Sequence, residues 1–153
     1  NKPVNFRIRH AEPGDSRAVF ELICDLESSS FDYPCFEKLY LGNLSNDGII
    51  YLVSEEEGEV TGFLSCHGQA LLHHMGKVFE IQELVVKESL RNRKIGELLL
   101  RRAEELVKQG GDRFIEVATN IKREAAHRFY DKCGYARTHY KFTKDLLGPE
   151  ERT

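Results

Sequence analysis

The chain has 153 residues, of which 41% are hydrophobic, enough for one contiguous core in one ordinary domain. Its formal net charge of -3 argues against a general nucleic-acid binder, which relies on a broad basic face to neutralise phosphates. No stretch approaches the roughly 20 apolar residues of a membrane span, and Asn1 to Asp15 carry no apolar run behind a positive flank. A soluble, cytoplasmic protein with no membrane or nucleic-acid partner is therefore expected.

Phe6-Arg7-Ile8-Arg9 alternates apolar and charged residues, which predicts a first strand ended by Pro13-Gly14. Asp15 or Ser16 can cap the helix that follows, whose apolar face is Val19, Leu22, Ile23 and Leu26. A second helix is expected from Phe36 to Leu44. Ile49 to Ser54 and Val60 to Cys66 are apolar runs separated by an acidic segment with Gly58, the pattern of an antiparallel hairpin. A longer strand follows from Lys77 to Val86.

Ile95, Leu98, Leu99, Ala103, Leu106 and Val107 mark a strong helix that Gly110-Gly111 stops. Phe114 to Ala118 reads as a strand, and Ala126, Phe129, Tyr130 and Cys133 as a helix stopped by Gly134. A last strand or pair is expected from Tyr135 to Phe142. The whole reads as an α/β chain with a mixed sheet and helices on both faces. It divides into one domain over 1–147 and a polar, frayed tail over 148–153. Cys24, Cys35, Cys66 and Cys133 form no C-x-x-C pair and lie beside apolar or aromatic residues, so they are read as buried reduced thiols.

The sharpest local signal runs from Leu84-Val85-Val86 through a basic loop, Lys87 to Lys94, into Ile95-Gly96-Glu97. A strand that opens through such a loop into a helix presents free backbone N–H groups where the helix dipole also favours an anion. Arg91, Arg93 and Lys94 add positive charge there, and Gly96 lets a phosphate approach the backbone. By charge and spacing alone, the same residues also read as a solvated basic turn.

Arg91-Asn92-Arg93-Lys94-Ile95-Gly96 resembles the R-x-x-G-x-G/A pyrophosphate loop of the GNAT superfamily of N-acetyltransferases, with Lys94 where the first glycine usually stands. A residue with a Cβ at that position narrows the loop's backbone angles. Glu80 to Val86 precedes the loop as the family's fourth strand does, and Ala118-Thr119-Asn120 closes the fifth. His127-Arg128-Phe129-Tyr130-Asp131-Lys132-Cys133-Gly134-Tyr135 is similar to the family's F-Y-x-x-x-G-F/Y segment. The resemblance covers Arg7 to Leu146. It implies a mostly antiparallel sheet that splays between its fourth and fifth strands, with acetyl-coenzyme A as cosubstrate in the splay. The pyrophosphate would lie on Arg91, Asn92, Arg93, Lys94, Ile95, Gly96 and Glu97, and the pantetheine arm on Leu84, Val86 and Asn120. Homodimers are common in this superfamily, which leaves that state open.

Acetyl transfer needs a neutral amine, an oxyanion stabiliser and a proton for the departing thiolate. A carboxylate can anchor an ammonium and take its proton, and Glu80 and Glu83 are the candidates on the fourth strand. Plain alternation puts them on opposite faces, so that one alone faces the acetyl group. Glu80 is favoured, because it shares its face with Gln82 and resembles the family's base position; Glu83 stays open as the base, and either one, Glu83 above all, also reads as a strand-end carboxylate paired with a lysine or arginine. A backbone N–H near Val85 can stabilise the oxyanion. Tyr130 resembles the family's general acid, although its helical spacing with Ala126 and Cys133 also suits a core tyrosine. With a thiol near 8.5 and a tyrosine near 10, that proton transfer is uphill by roughly 2 kcal/mol, so Tyr130 is expected to help without being indispensable.

Leu22-Ile23-Cys24-Asp25-Leu26, Leu72-His73-His74, Glu80 to Val86, Thr119-Asn120-Ile121-Lys122-Arg123, His127 to Tyr130 and Phe142-Thr143-Lys144 resemble a narrower group, the bacterial aminoalkylphosphonate N-acetyltransferases. That resemblance implies a small aminophosphonate substrate and an assisting divalent metal ion. Lys122 and Arg123 are candidates to meet the phosphonate charge. His73 and His74 can belong to the same pocket or to a metal, jointly only if a loop turns them together, and also read as a surface pair. His127 reads as structural or solvent-facing. Two other functions stay open: acetylation of a polyamine, an amino acid or a protein N-terminus, and a non-catalytic module that binds coenzyme A. A polyamine would want an acidic pocket, and the acidic run Glu55 to Glu59 is expected in a hairpin turn, where solubility explains it.

Overall fold

The computed structural model describes residues 5–148 and divides into two compact units, Asn1–Val117 and Ala118–Thr153. The frayed tail expected from 148 onward lies, beyond Gly148, outside the described residues.

The first unit is one sheet with helices on both faces. Its strands are β1 (Phe6–His10), β2 (Ile49–Glu56), β3 (Glu59–Leu71), β4 (Gly76–Val86) and β5 (Phe114–Val117), in spatial order β1-β2-β3-β4-β5. The first four pair antiparallel, and β4 and β5 pair parallel. The hairpin between β2 and β3 turns on two residues, Glu57 and Gly58, both at positive φ (51° and 78°), the geometry whose twist matches that of the flanking strands. Of the acidic run, Glu57 is therefore turn, whereas Glu55, Glu56 and Glu59 are strand. Glu55 accepts from Arg9 at 2.6 Å, Glu56 from Arg93 at 2.7 Å and Glu59 from Lys87 at 2.9 Å.

Helices α1 (Ser16–Glu27) and α2 (Tyr33–Leu44) cover one face. Helix α2 starts before Phe36 because Asp32 caps it, accepting from the Cys35 N–H at 3.0 Å, with Pro34 in the first turn. Val19, Leu22 and Tyr40 pack there against Val53, Phe63 and Val85, and the Tyr40 hydroxyl donates to the Glu12 carbonyl at 2.7 Å. Helix α3 (Ile95–Gln109) covers the other face, burying Leu99, Leu100 and Ala103. Each large side chain buried this way contributes about 1.5–3 kcal/mol. Gly62 permits the close approach of α3: a Cβ there would stand 3.1 Å from Leu99 Cδ1 and 2.6 Å from the Ser54 hydroxyl.

The second unit holds α4 (Glu124–Lys132), ended by Gly134 at φ 92°. The strand expected from Tyr135 to Phe142 is not formed, although its composition suits one. The four cysteines are free, as expected, but Cys66 alone is buried; Cys35 is exposed at the start of α2, and Cys24 and Cys133 are half-buried. Among the described residues no helix is long and apolar enough to cross a membrane.

Candidate active site

Strand β4 organises the site. It pairs with β5 only from Val78 to Ile81, so from Gln82 to Val86 its β5-side edge carries no ladder. This is the splay that the sequence resemblance implies. Along the other edge β4 stays paired with β3, but with a break: Ser65 opposes Glu83 and Cys66 opposes Ile81, which leaves Gln82 as one extra residue. That is a β-bulge on β4.

The bulge corrects the alternation read from the sequence. Cross-strand partners share a face, and Glu80 is opposite His67, Glu83 opposite Ser65 and Val85 opposite Phe63. His67, Ser65 and Phe63 alternate along β3 on the α1 and α2 side, so Glu80 and Glu83 share that side too. The single inserted residue turns an odd spacing into a common face.

Each carboxylate has its own partners. Glu80 accepts from the Gln82 amide at 3.0 Å. Glu83 accepts from the Ser65 hydroxyl, and the Ser65 oxygen accepts from the Glu83 N–H at 3.0 Å. The ion pair with a lysine or arginine that the sequence suggested for Glu83 is replaced by this serine. Tyr51, opposite Ser65, accepts from the Asn43 amide at 2.7 Å, and burial, helped by the Glu83 charge, pushes its phenol pKa up.

Beyond β4, a 3-10 turn over Glu88–Leu90 leads into the basic loop. Asn92 and Lys94 sit at φ 69° and 63°, so Lys94 adopts the left-handed backbone that a glycine would supply at no steric cost. Lys94 is also the residue that precedes α3, and no side chain caps that helix. The residue before this 15-residue helix thus gives its first turn, which opens at Ile95 and Gly96, no side-chain cap, as an anion site requires. The cations are not equivalent: Arg93 donates two bonds to Glu56, at 2.7 and 3.4 Å, whereas Arg91 Nε reaches the Val86 carbonyl at 3.4 Å. Glu97 pairs with Arg101 one turn on, at 2.7 Å. Nothing in the sequence paired Arg93 with Glu56, because they are distant in the chain.

In the second unit the Asn120 side-chain oxygen accepts from the Lys122 N–H at 2.9 Å, and its main-chain oxygen meets the His127 ring at 2.8 Å. His127 is thus structural, tying α4 to the turn, and only the amide nitrogen of Asn120 could serve a pantetheine carbonyl. Lys122 and Arg123 are exposed. Tyr130 is half-buried on α4 against Tyr135, ring centroids 5.6 Å apart, and burial pushes its phenol up to about 12.

His73 and His74 lie on a 3-10 turn between β3 and β4, which brings their rings within 4.5 Å, the loop condition that joint ligation needs. Among the described residues, however, no group of three or more His, Cys, Asp or Glu could hold a metal ion. The described residues therefore offer no protein-held metal centre of three or more such ligands.

Comparison with known proteins agrees with this geometry. Residues 17–135 match the family model described as the acetyltransferase (GNAT) family. An aminoalkylphosphonate N-acetyltransferase from Salmonella typhimurium is 44% identical over 139 residues, covering 91% of this chain and 90% of that protein. A transcriptional regulator from Bacillus halodurans shares the fold with a TM-score of 0.85 at 21% identity, over 93% of this chain and 100% of that one. An aminoglycoside N-acetyltransferase solved in complex with coenzyme A does so with a TM-score of 0.84 at 14% identity, over 94% and 96%. A basic loop opening into an uncapped helix, beside an unpaired strand edge, is thus found in a chain that belongs to the GNAT family and is an acetyl-CoA-dependent N-acetyltransferase.

Proposed function

We propose that the chain transfers the acetyl group of acetyl-coenzyme A to the primary amine of a small aminoalkylphosphonate by direct attack. The observation that carries this reading is the 44% identity, along nearly the whole of both chains, to an enzyme of that name. The bulge in β4 supports it, since two carboxylates on one face suit an ammonium group.

In this reading Glu80 takes the ammonium proton, directly or through a water, and the neutral amine attacks the thioester carbonyl carbon. A backbone N–H near Val85, on the strand's open edge, stabilises the tetrahedral oxyanion. The carbon–sulfur bond then breaks and the thiolate gains a proton, with Tyr130 as donor by resemblance, while the nitrogen gives up the proton left on it by the attack, which passes through water to restore the phenol. The main-chain groups of Leu84 and Val86 and the amide of Asn120 hold the pantetheine arm. The loop from Arg91 to Glu97 binds the pyrophosphate, with Arg91 and Lys94 as its principal cations because Arg93 is committed to Glu56. Lys122 and Arg123 meet the phosphonate charge. No step is routed through a metal, since no fitting donor set exists among the described residues.

A thiol-release assay tests the substrate, with acetyl-coenzyme A and a panel of aminomethylphosphonate, aminoethylphosphonate, spermidine and several amino acids, with added divalent metal or chelator. Selective turnover of the aminophosphonates is expected. Preferred turnover of spermidine or an amino acid would replace the substrate and keep the family chemistry. Loss of activity with chelator, restored by added divalent metal, would show that turnover needs a metal ion.

A further inference from the structure

We propose that Ser65 is a positioning residue of the acetyl transfer: its hydroxyl keys the β4 bulge and holds the Glu83 carboxylate, so that Glu83 and Glu80 face the acceptor amine together. The inference rests on the reading above that β4 presents its carboxylates to the amine.

Ser65 lies on a central strand and is 0% exposed, so its hydroxyl cannot turn to water. It spends both of its hydrogen-bonding roles on one residue. As acceptor it takes the Glu83 N–H at 3.0 Å, and as donor it reaches Glu83 Oε1. Glu83 directly follows the unpaired Gln82, at the point where the ladder register shifts. The hydroxyl thus gives a main-chain N–H at the bulge a partner, and a bulge is stable only if such displaced groups are satisfied.

The other two wholly buried hydroxyls of this hairpin, Ser54 and Thr61, bond to each other at 2.9 Å and reach no carboxylate. Ser65 alone of the three is turned towards a charged group. On the same face Tyr51, its phenol fixed by Asn43 of α2, stands opposite Ser65 and borders Glu83. A carboxylate with a dedicated donor is held in one orientation, and without that bond it would have to be ordered by the incoming ammonium at the amine's expense.

Ser65→Ala, Ser65→Thr and Ser65→Val test this, because alanine removes the hydroxyl with little change of volume, and threonine and valine match in size but differ in the hydroxyl. Steady-state kinetics would use whichever panel amine the wild type turns over fastest, with acetyl-coenzyme A affinity measured separately by calorimetry. The expected result is an amine KM raised about tenfold or more in Ser65→Ala and Ser65→Val, recovery to within about threefold in Ser65→Thr, and an acetyl-coenzyme A Kd within about threefold throughout. An unchanged amine KM in Ser65→Ala, a threonine variant no better than valine, or a Kd that rises in step with KM would each overturn the proposal. If the wild type favours a non-phosphonate amine, the substrate reading falls while the serine series is still read on that amine.

Discussion

The Arg9 guanidinium grips both oxygens of Asp15, with Nη1 to Oδ2 at 2.7 Å and Nη2 to Oδ1 at 2.9 Å, while its Nε reaches Glu55 at 2.6 Å. Asp15 also accepts from the Glu12 N–H at 2.8 Å, so its carboxylate serves the turn before α1 and gives that helix no side-chain cap. The pair pins β1 to the start of α1.

Burial by itself would raise the Asp15 pKa, but the Arg9 guanidinium and the Glu12 N–H outweigh it and hold the carboxyl below the usual range. A carboxylate depressed in the fold stabilises the protein above the unfolded pKa of about 3.9, and loses that contribution as pH falls through the native value. Asp15→Asn is expected to cost about 2 kcal/mol at pH 7, a fall of about 4–8 °C in Tm, and less near pH 3. Thermal melts at the two pH values check this, and an equal difference at both would remove the charge from the explanation.

Glu80→Gln is expected to lower kcat/KM about a hundredfold or more at neutral pH, because an amide cannot accept the ammonium proton. Glu83→Gln keeps an oxygen for the Ser65 hydroxyl and should lose less. Near-normal turnover in Glu80→Gln together with loss in Glu83→Gln would reverse the assignment.

Lys94→Gly should separate two effects of one residue. Glycine adopts φ near 63° freely, so relief of about 1 kcal/mol should raise Tm by about 2–4 °C. Loss of the ammonium should meanwhile raise the acetyl-coenzyme A KM by about three- to tenfold. Lys94→Met, which keeps the Cβ and lacks the charge, should raise KM without the gain in Tm. A glycine variant with unchanged KM would show that Lys94 does not meet the phosphates.

With its phenol pushed up to about 12, Tyr130 stays protonated across any practical assay range. Proton donation to a thiolate near 8.5 is then uphill by roughly 5 kcal/mol, more than the sequence-based figure. Tyr130→Phe should therefore lower kcat by about tenfold or less, with no basic limb below pH ~11 traceable to this residue. A loss of about a thousandfold would make Tyr130 the obligatory acid.

Local chemistry made much of this protein legible in its sequence. Alternation at Phe6–Arg9, helical spacing from Ile95 to Val107 and the Gly110-Gly111 stop depend on neighbours within a few residues, and the corresponding elements formed there. The basic loop and the helix it opens are equally local. What only the tertiary structure decided were pairings between distant segments. Arg93 is drawn to Glu56 by the hairpin, Asp15 is diverted from capping by Arg9, and Tyr135 to Phe142 forms no strand despite a suitable composition. The decisive case is Gln82, an ordinary member of an alternating strand in sequence, which is left over when Ser65 pairs with Glu83 and Cys66 with Ile81. Strand periodicity assigns faces only while the ladder is regular. Whether a residue is skipped depends on the partner strand, so the common face of Glu80 and Glu83 was set by β3, not by the local sequence of β4.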